Sequence, residues 1–246
     1  MSADIFRGKK AVIFDMDGTL IDSVGIWNEV DRQILVKYGN DRAAALTEAE
    51  IQRQRDELLR MHKEAKYPYR EYYIDLKKMY GFEVPAEAAI KTRYVLAQVM
   101  LAERIDYKPG ADIFIKELKR SGFKLVIAST TKRSNMEVYR KKNHNIMSKA
   151  DIDAMFDLVY TREDVKSMKP DPEVYLKVMN VLELTADECL IFEDSLIGVE
   201  AAKASGAEVA VIYDKYSDGE RDRINELANY VIDDYYLAID ILKQEI

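Results

Sequence analysis

The sequence predicts an α/β fold: a parallel sheet covered by helices, with an all-helical insertion near its start. Three observations predict it. Short continuous apolar runs, rich in β-branched residues, recur along the chain. Segments with helical apolar spacing separate them. One long stretch, residues 23–105, has helical spacing and no convincing strand. Continuous apolar strands alternating with helices are the mark of a parallel sheet buried on both faces.

Taken in order, Ala11-Val-Ile-Phe-Asp15 is the first strand, closed by a turn. The insertion follows. Trp27, Val30, Ile34 and Tyr38 mark its first helix; Ile51, Leu58, Met61 and Ala65 a second; Tyr69 to Tyr80 a third. Ile90, Tyr94, Ala97 and Leu101 mark the last. Pro109-Gly110 returns the chain to the α/β part. There Ile113, Phe114 and Leu118 form a helix face before Ser121-Gly122. Strands are expected at Leu125–Ala128, Leu158–Tyr160, Leu190–Phe192, Val209–Ile212 and Tyr230–Ile232. Helices carrying Val174, Val178 and Leu182, and Leu196, Val199 and Ala202, lie between. The domain division is therefore 1–22 plus 106–246 for the core and 23–105 for the insert.

Composition narrows the class of protein. At 246 residues, with 48% hydrophobic and 33% charged side chains, the chain can build one or two packed domains and is not a disordered or collagen-like sequence. Neither a membrane span of about 18 apolar residues nor a signal-peptide core is visible. A cytoplasmic protein is expected. The single cysteine, Cys189, excludes a disulfide framework and reads as a small buried hydrophobe. A net charge of −7 gives no support to nucleic-acid binding.

In an open α/β sheet, ligands bind beyond the carboxyl ends of the strands. The first strand leads into Asp15-Met-Asp17-Gly-Thr-Leu20 and the second into Ser129-Thr-Thr-Lys132. The third leads on to Lys169-Pro-Asp-Pro172, and the fourth to Glu193-Asp194-Ser195. Carboxylates from the first and fourth strands form a hard-oxygen site suited to Mg²⁺. Ser129 and Lys169 offer a hydroxyl and an ammonium to a phosphoryl group, joined by backbone N–H groups around Met16 to Gly18. Gly18 lets that turn approach a ligand closely. Asp15 is placed as a nucleophile and Asp17 as a general acid and base. Each motif alone has an ordinary structural explanation, as a turn, a solvated loop or a helix cap. All four in order, each at a strand end, do not.

These motifs resemble those of the haloacid dehalogenase superfamily. Asp15-Met-Asp-Gly-Thr-Leu-Ile-Asp-Ser23 is similar to its first motif and Ser129-Thr130 to its second. Lys169-Pro-Asp-Pro-Glu-Val-Tyr175 is similar to the third, and Ile191-Phe-Glu-Asp-Ser-Leu-Ile-Gly-Val-Glu-Ala-Ala202 to the fourth. The insert resembles the helical cap of the subgroup containing phosphoglycolate phosphatase and β-phosphoglucomutase. The resemblance implies a Rossmann-like core with a mobile cap. It implies Asp15 as nucleophile, Asp17 as acid/base, and Mg²⁺ held by Asp15, the Asp17 carbonyl and Asp194 with help from Glu193. It implies Ser129, Thr130 and Lys169 on the phosphoryl group. Asp17 points to phosphate-ester cleavage, because dehalogenases of the superfamily lack that second aspartate. Met168 stands where relatives commonly carry a small residue, and the stretch Asn143–Asp153 is longer than the usual link.

The expected activity is a Mg²⁺-dependent phosphatase for a small phosphorylated metabolite, such as a sugar phosphate. A phosphosugar mutase and an inactive binding module are the alternatives. A monomer or weak homodimer, with neither nucleic acid nor membrane as partner, completes the expectation. Substrate choice belongs to the insert, where Trp27, Arg53 and Lys77 are the candidates, with Lys132 beside the second motif. Arg55, Arg60 and Lys78 share that composition. The same residue types also serve as solvated helix faces and core. Tyr67, Tyr69, Tyr72, Tyr73 and Tyr80 read as helix packing. His62 and His144 lack metal-ligand spacing.

Overall fold

The computed structural model describes residues 4–62 and 65–245. It contains strands β1 (Ala11–Phe14), β2 (Lys124–Ala128), β3 (Leu158–Tyr160), β4 (Cys189–Glu193), β5 (Glu208–Ile212) and β6 (Tyr230–Ile232). The helices of the first half are α1 (Val24–Tyr38), α2 (Asp41–Ala44), α3 (Glu48–Met61), α4 (Pro68–Tyr80) and α5 (Ala86–Glu103). Those of the second half are α6 (Ala111–Arg120), α7 (Arg133–Lys141), α8 (His144–Lys149), α9 (Ile152–Met155), α10 (Glu173–Leu182), α11 (Leu196–Ala204), α12 (Arg221–Leu227) and α13 (Tyr235–Glu245). Two compact units result: the chain up to Ser23 with Ala102 onward, and Val24–Leu101.

In the first unit all six strands pair in parallel, in the order β3-β2-β1-β4-β5-β6. This is the doubly wound, Rossmann-like order, and all six expected strands are present. Phe14 pairs with Ile127 on one side and Phe192 on the other. The strand order reverses at β1, so a crevice opens beyond its carboxyl end. Alternate residues serve opposite faces. Ile13, Val126, Ile191 and Val209 pack with Val174, Val178 and Val199 of α10 and α11. Phe14 and Phe192 meet Phe114 of α6 at 6.1 and 5.3 Å, and Phe114 meets Tyr235 of α13 at 5.4 Å. Burial there corrects one detail. Ile113 is exposed, whereas Phe114 and Leu118 are buried as expected, joined by Ala111 and Ile115. The long link after β2 is filled by α8 and α9. Met168 is exposed.

The second unit is helical throughout. Thr47 and Glu50 form a capping box at the start of α3, Pro68 opens α4, and Gly81 closes α4 in the left-handed region. Its core gathers Ile34, Leu35, Ile51, Leu58, Leu76 and Phe82 around Tyr72, Tyr73 and Tyr80. The expected apolar faces differ in two places. Met61 is exposed and α3 ends there, so Ala65 lies beyond it. On α5 the buried residues are Ala86, Ala89, Arg93, Ala97, Met100 and Leu101, while Ile90 and Tyr94 are only half-buried. Small alanines let that face approach its neighbours more closely than the larger side chains would. No helix among the described residues is long and apolar enough to cross a membrane.

Candidate active site

The site is built on four strand ends of the first unit. Asp15 follows β1, and its N–H donates to the Phe192 carbonyl at 3.0 Å, which ties the turn to β4. The chain then doubles back: the Met16 carbonyl accepts from the Leu20 and Ile21 N–H groups. Gly18 sits at φ +87°, with its N–H donating to the Ile21 carbonyl at 3.0 Å, so that donor is already used. A Cβ at Gly18 would stand 2.4 Å from Asp194 Oδ2, so glycine is required twice over.

Lys169 is the hub. Its Nζ donates to Asp15 Oδ1 and Glu193 Oε1, both at 2.6 Å, and to the Ala128 carbonyl at 3.0 Å. Its side chain is 3% exposed, so these contacts replace water almost completely. The Lys169–Pro170 peptide is cis. Burial opposes the ammonium, but the carboxylates of Asp15 and Glu193 outweigh it and hold Lys169 well above the usual lysine range.

The carboxylates have distinct surroundings. Glu193 is saturated: Oε1 accepts from Lys169 and from Tyr175 Oη at 2.6 Å, and Oε2 from the Asp194 N–H and Ser195 Oγ. Gly198, on the first turn of α11, makes room for it, since a Cβ there would lie 2.0 Å from the carboxylate. Asp194 Oδ1 accepts from Thr19 Oγ1 at 2.7 Å. Asp17 Oδ1 accepts from Ser23 Oγ at 2.6 Å and Tyr139 Oη at 3.0 Å. Burial pushes Asp15 up to about 7, against the pull of Lys169 and with Glu193 adding to the rise. Burial also raises Asp17 and, with the charges of Glu193 and Asp15, holds Asp194 well above the usual carboxylate range.

Oxygens of Asp15, Glu193 and Asp194 lie within 4.8 Å of one another. These three buried carboxylates face a single ammonium. A small divalent cation would offset that excess of negative charge, and carboxylate oxygens are the hard donors it requires. Asp15 and Asp194 fit as direct ligands, whereas Glu193 has both oxygens occupied.

On the opposite side, Ser129 is buried, and its Oγ accepts from the Thr131 N–H at 3.1 Å, which leaves its hydroxyl proton to donate. Thr130 is half-buried beside it. Lys132 caps α7 without a side-chain bond to the helix. Asp15, Asp17, Ser129, Lys169, Glu193 and Asp194 are thus gathered on one sheet edge. The other candidates lie in the helical unit. Trp27 packs beside Val30, Ala97 and Met100. Arg53 is exposed on α3. Lys77 spends its ammonium on the Phe82 and Val84 carbonyls just past α4. Sequence reasoning missed Tyr139 and gave no role to Thr19, Ser23 or Tyr175. The last three lie within the quoted motifs, whereas Tyr139 meets Asp17 from 122 residues away, where no local signal exists.

Known proteins are similar to this chain in sequence and fold. Residues 9–206 match the family model described as haloacid dehalogenase-like hydrolase. A phosphorylated carbohydrates phosphatase of Thermotoga maritima is 30% identical over 81% of this chain and 82% of its own. The CbbY protein of Rhodobacter capsulatus is 28% identical, over 86% and 88% of the two chains. A Thermotoga maritima crystal structure named as a candidate β-phosphoglucomutase superposes with a TM-score of 0.76 at 26% identity. The superposition covers 96% of this chain and all of that one.

Proposed function

Since the chain belongs to the haloacid dehalogenase-like hydrolase family and is an enzyme of that class, we propose that it is a Mg²⁺-dependent phosphatase acting on a small phosphorylated carbohydrate through an aspartyl-phosphate on Asp15. The observation that carries this reading is the pairing of two aspartates on one turn with opposite surroundings. Asp15 is bonded to the Lys169 ammonium, and Asp17 is held only by hydroxyl donors. The names of the relatives support the substrate class.

The Lys169 ammonium and the Ser129 hydroxyl grip the non-bridging oxygens of the phosphoryl group, with the Met16–Gly18 turn and Thr130 closing around it. The Asp15 carboxylate attacks phosphorus, and the ester bond breaks as Asp17 gives its proton to the departing oxygen. Asp17, now a base, takes a proton from water, which attacks the phosphorus of the aspartyl-phosphate. Orthophosphate leaves and Asp15 is restored. Burial keeps Asp17 protonated more readily than an exposed aspartate, as its first role needs. Mg²⁺, when bound by Asp15, the Asp17 carbonyl and Asp194, supplies positive charge against the transferring group. Glu193 positions Lys169 and Asp194.

A panel of sugar phosphates and other phosphomonoesters, incubated with the protein and Mg²⁺, tests the reading. Free phosphate from sugar phosphates is expected. Conversion of a sugar 1-phosphate to its 6-phosphate isomer without phosphate release would replace it with a mutase. That alternative has its footing in the candidate phosphoglucomutase neighbour.

A further inference from the structure

The helical unit holds a buried polar cluster that phosphoryl transfer does not use. Asp31 of α1 is completely enclosed and accepts from three other helices. Its donors are Arg55 Nη1 of α3 at 3.0 Å, Tyr73 Oη of α4 at 3.3 Å and Arg93 Nε of α5 at 2.7 Å. One carboxylate is thus shared between two guanidiniums.

Arg93 has the less complete surroundings. Its side chain is 5% exposed. Its guanidinium carbon stands over two aromatic rings, 4.7 Å from the centre of Trp27 and 5.0 Å from that of Tyr69. Its Nε is taken by Asp31. Among the described residues no acceptor meets Nη1 or Nη2. Neither are these atoms sealed in: the fully enclosed side-chain atoms without a partner among those residues are Asn28 Oδ1, Gln54 Oε1 and Arg221 Nε. The Nη edge is therefore the part of this cation that keeps unused donors without being fully enclosed. The guanidinium is held by the Asp31 carboxylate on Nε and by contact with the rings of Trp27 and Tyr69. A guanidinium edge with parallel N–H donors matches the two oxygens of a carboxylate or phosphoryl group. If the only task were to neutralise Asp31, neither the aromatic frame nor an accessible edge would be needed.

We propose that Arg93, framed by Trp27 and Tyr69, is an oxyanion-binding site of the helical unit, taking a carboxylate or phosphoryl group edge-on. The proposal does not depend on the phosphatase reading. The oxyanion comes either from the non-transferred end of a substrate or from a separate small molecule.

Trp27 is the only tryptophan of the chain, so its emission reports on this site selectively. The protein is titrated with inorganic phosphate against chloride at matched ionic strength. A saturable change in Trp27 emission is expected. The midpoint should be unchanged in Lys169→Met, which removes the phosphate-gripping ammonium of the other unit. It should weaken at least tenfold in Arg93→Lys, which keeps a cation for Asp31 but loses the paired Nη donors. Tyr69→Ala, at an exposed position, should weaken it roughly two- to fivefold with no demand on the fold. A flat titration overturns the proposal, as does one indifferent to both Arg93→Lys and Tyr69→Ala, or one lost in Lys169→Met. Hydrolysis rates then separate the two sources. With Arg93→Lys, a fall in kcat/KM confined to phosphomonoesters bearing a second anionic group assigns the oxyanion to the substrate. Unchanged rates alongside a weakened titration assign it to a separate ligand. If the wild-type protein hydrolyses nothing, the phosphatase reading fails while the Trp27 titration still decides this one.

Discussion

Asp15, Glu193 and Asp194 crowd three carboxylates around one lysine, and the smallest residues nearby are there to permit it. Gly198 gives Glu193 its space. Gly198→Ala would force the Glu193 carboxylate off Lys169 and Tyr175. An overpacking cost of about 1–3 kcal/mol in unfolding free energy is expected, together with a clear loss of kcat. Denaturant melts and steady-state rates check both. Tyr139→Phe removes a hydroxyl from Asp17 and no packing volume. It should lower kcat by roughly tenfold and leave KM little changed, because the lost hydrogen bond serves proton transfer and not binding. Tyr139 also marks a limit on what sequence reveals. The carboxylates, Ser129 and Lys169 announce themselves by sitting just past apolar runs. A tyrosine on the buried face of α7 looks like any other core residue until the fold brings it to Asp17.

At the scale of elements, the six strands were legible because each is a contiguous apolar run, a purely local signal, and the four inner strands β2, β1, β4 and β5 are buried almost throughout. The four longer helices of the insert, α1, α3, α4 and α5, were legible, whereas the four-residue α2 is too short to show an apolar period, and the face each helix buries was less legible. The spacing gives α5 a face of Ile90, Tyr94, Ala97 and Leu101; Ala97 and Leu101 are buried, but Ala89 and Arg93 are buried where Ile90 and Tyr94 were expected, because Asp31 on α1 gives Arg93 a partner. A buried arginine can be foreseen only with its distant carboxylate in view. Asp31→Ala would remove the carboxylate that pairs with Arg93 and also holds Arg55, and should destabilise the helical unit by about 3–5 kcal/mol. Hydrogen exchange should then show α1, α3, α4 and α5 losing protection before the sheet does. A second element-level prediction concerns acid. Glu188, just before β4, is pushed down to about 2 by its bond to Lys10 and by the Thr185 backbone and hydroxyl, against an ordinary value of 4.5. A depressed folded pKa adds stability that is fully present above about pH 4.5 and lost as pH falls through about 2. Wild type should melt above Glu188→Gln at neutral pH, and the two melting temperatures should converge as the pH approaches 2.

Across the whole molecule, the charge is divided unevenly. The insert, 23–105, is close to neutral, while the rest of the chain carries the acidic excess. Part of that excess is the carboxylate cluster, in which burial, with the neighbouring carboxylate charges adding to it, raises Asp15 and Asp194. A divalent cation bound there should stabilise the folded state as well as serve the reaction. Chelation with EDTA is expected to abolish hydrolysis and lower the melting temperature, and Mg²⁺ to restore both; activity that survives chelation would remove the metal from the account. The central claim, a covalent intermediate on Asp15, has its own direct test. A sugar phosphate labelled in its phosphoryl group is mixed with the protein and Mg²⁺ and quenched in acid within a single turnover. The account predicts label on the peptide containing Asp15, and neither label nor phosphate release from Asp15→Asn. Sustained phosphate release by Asp15→Asn would contradict it.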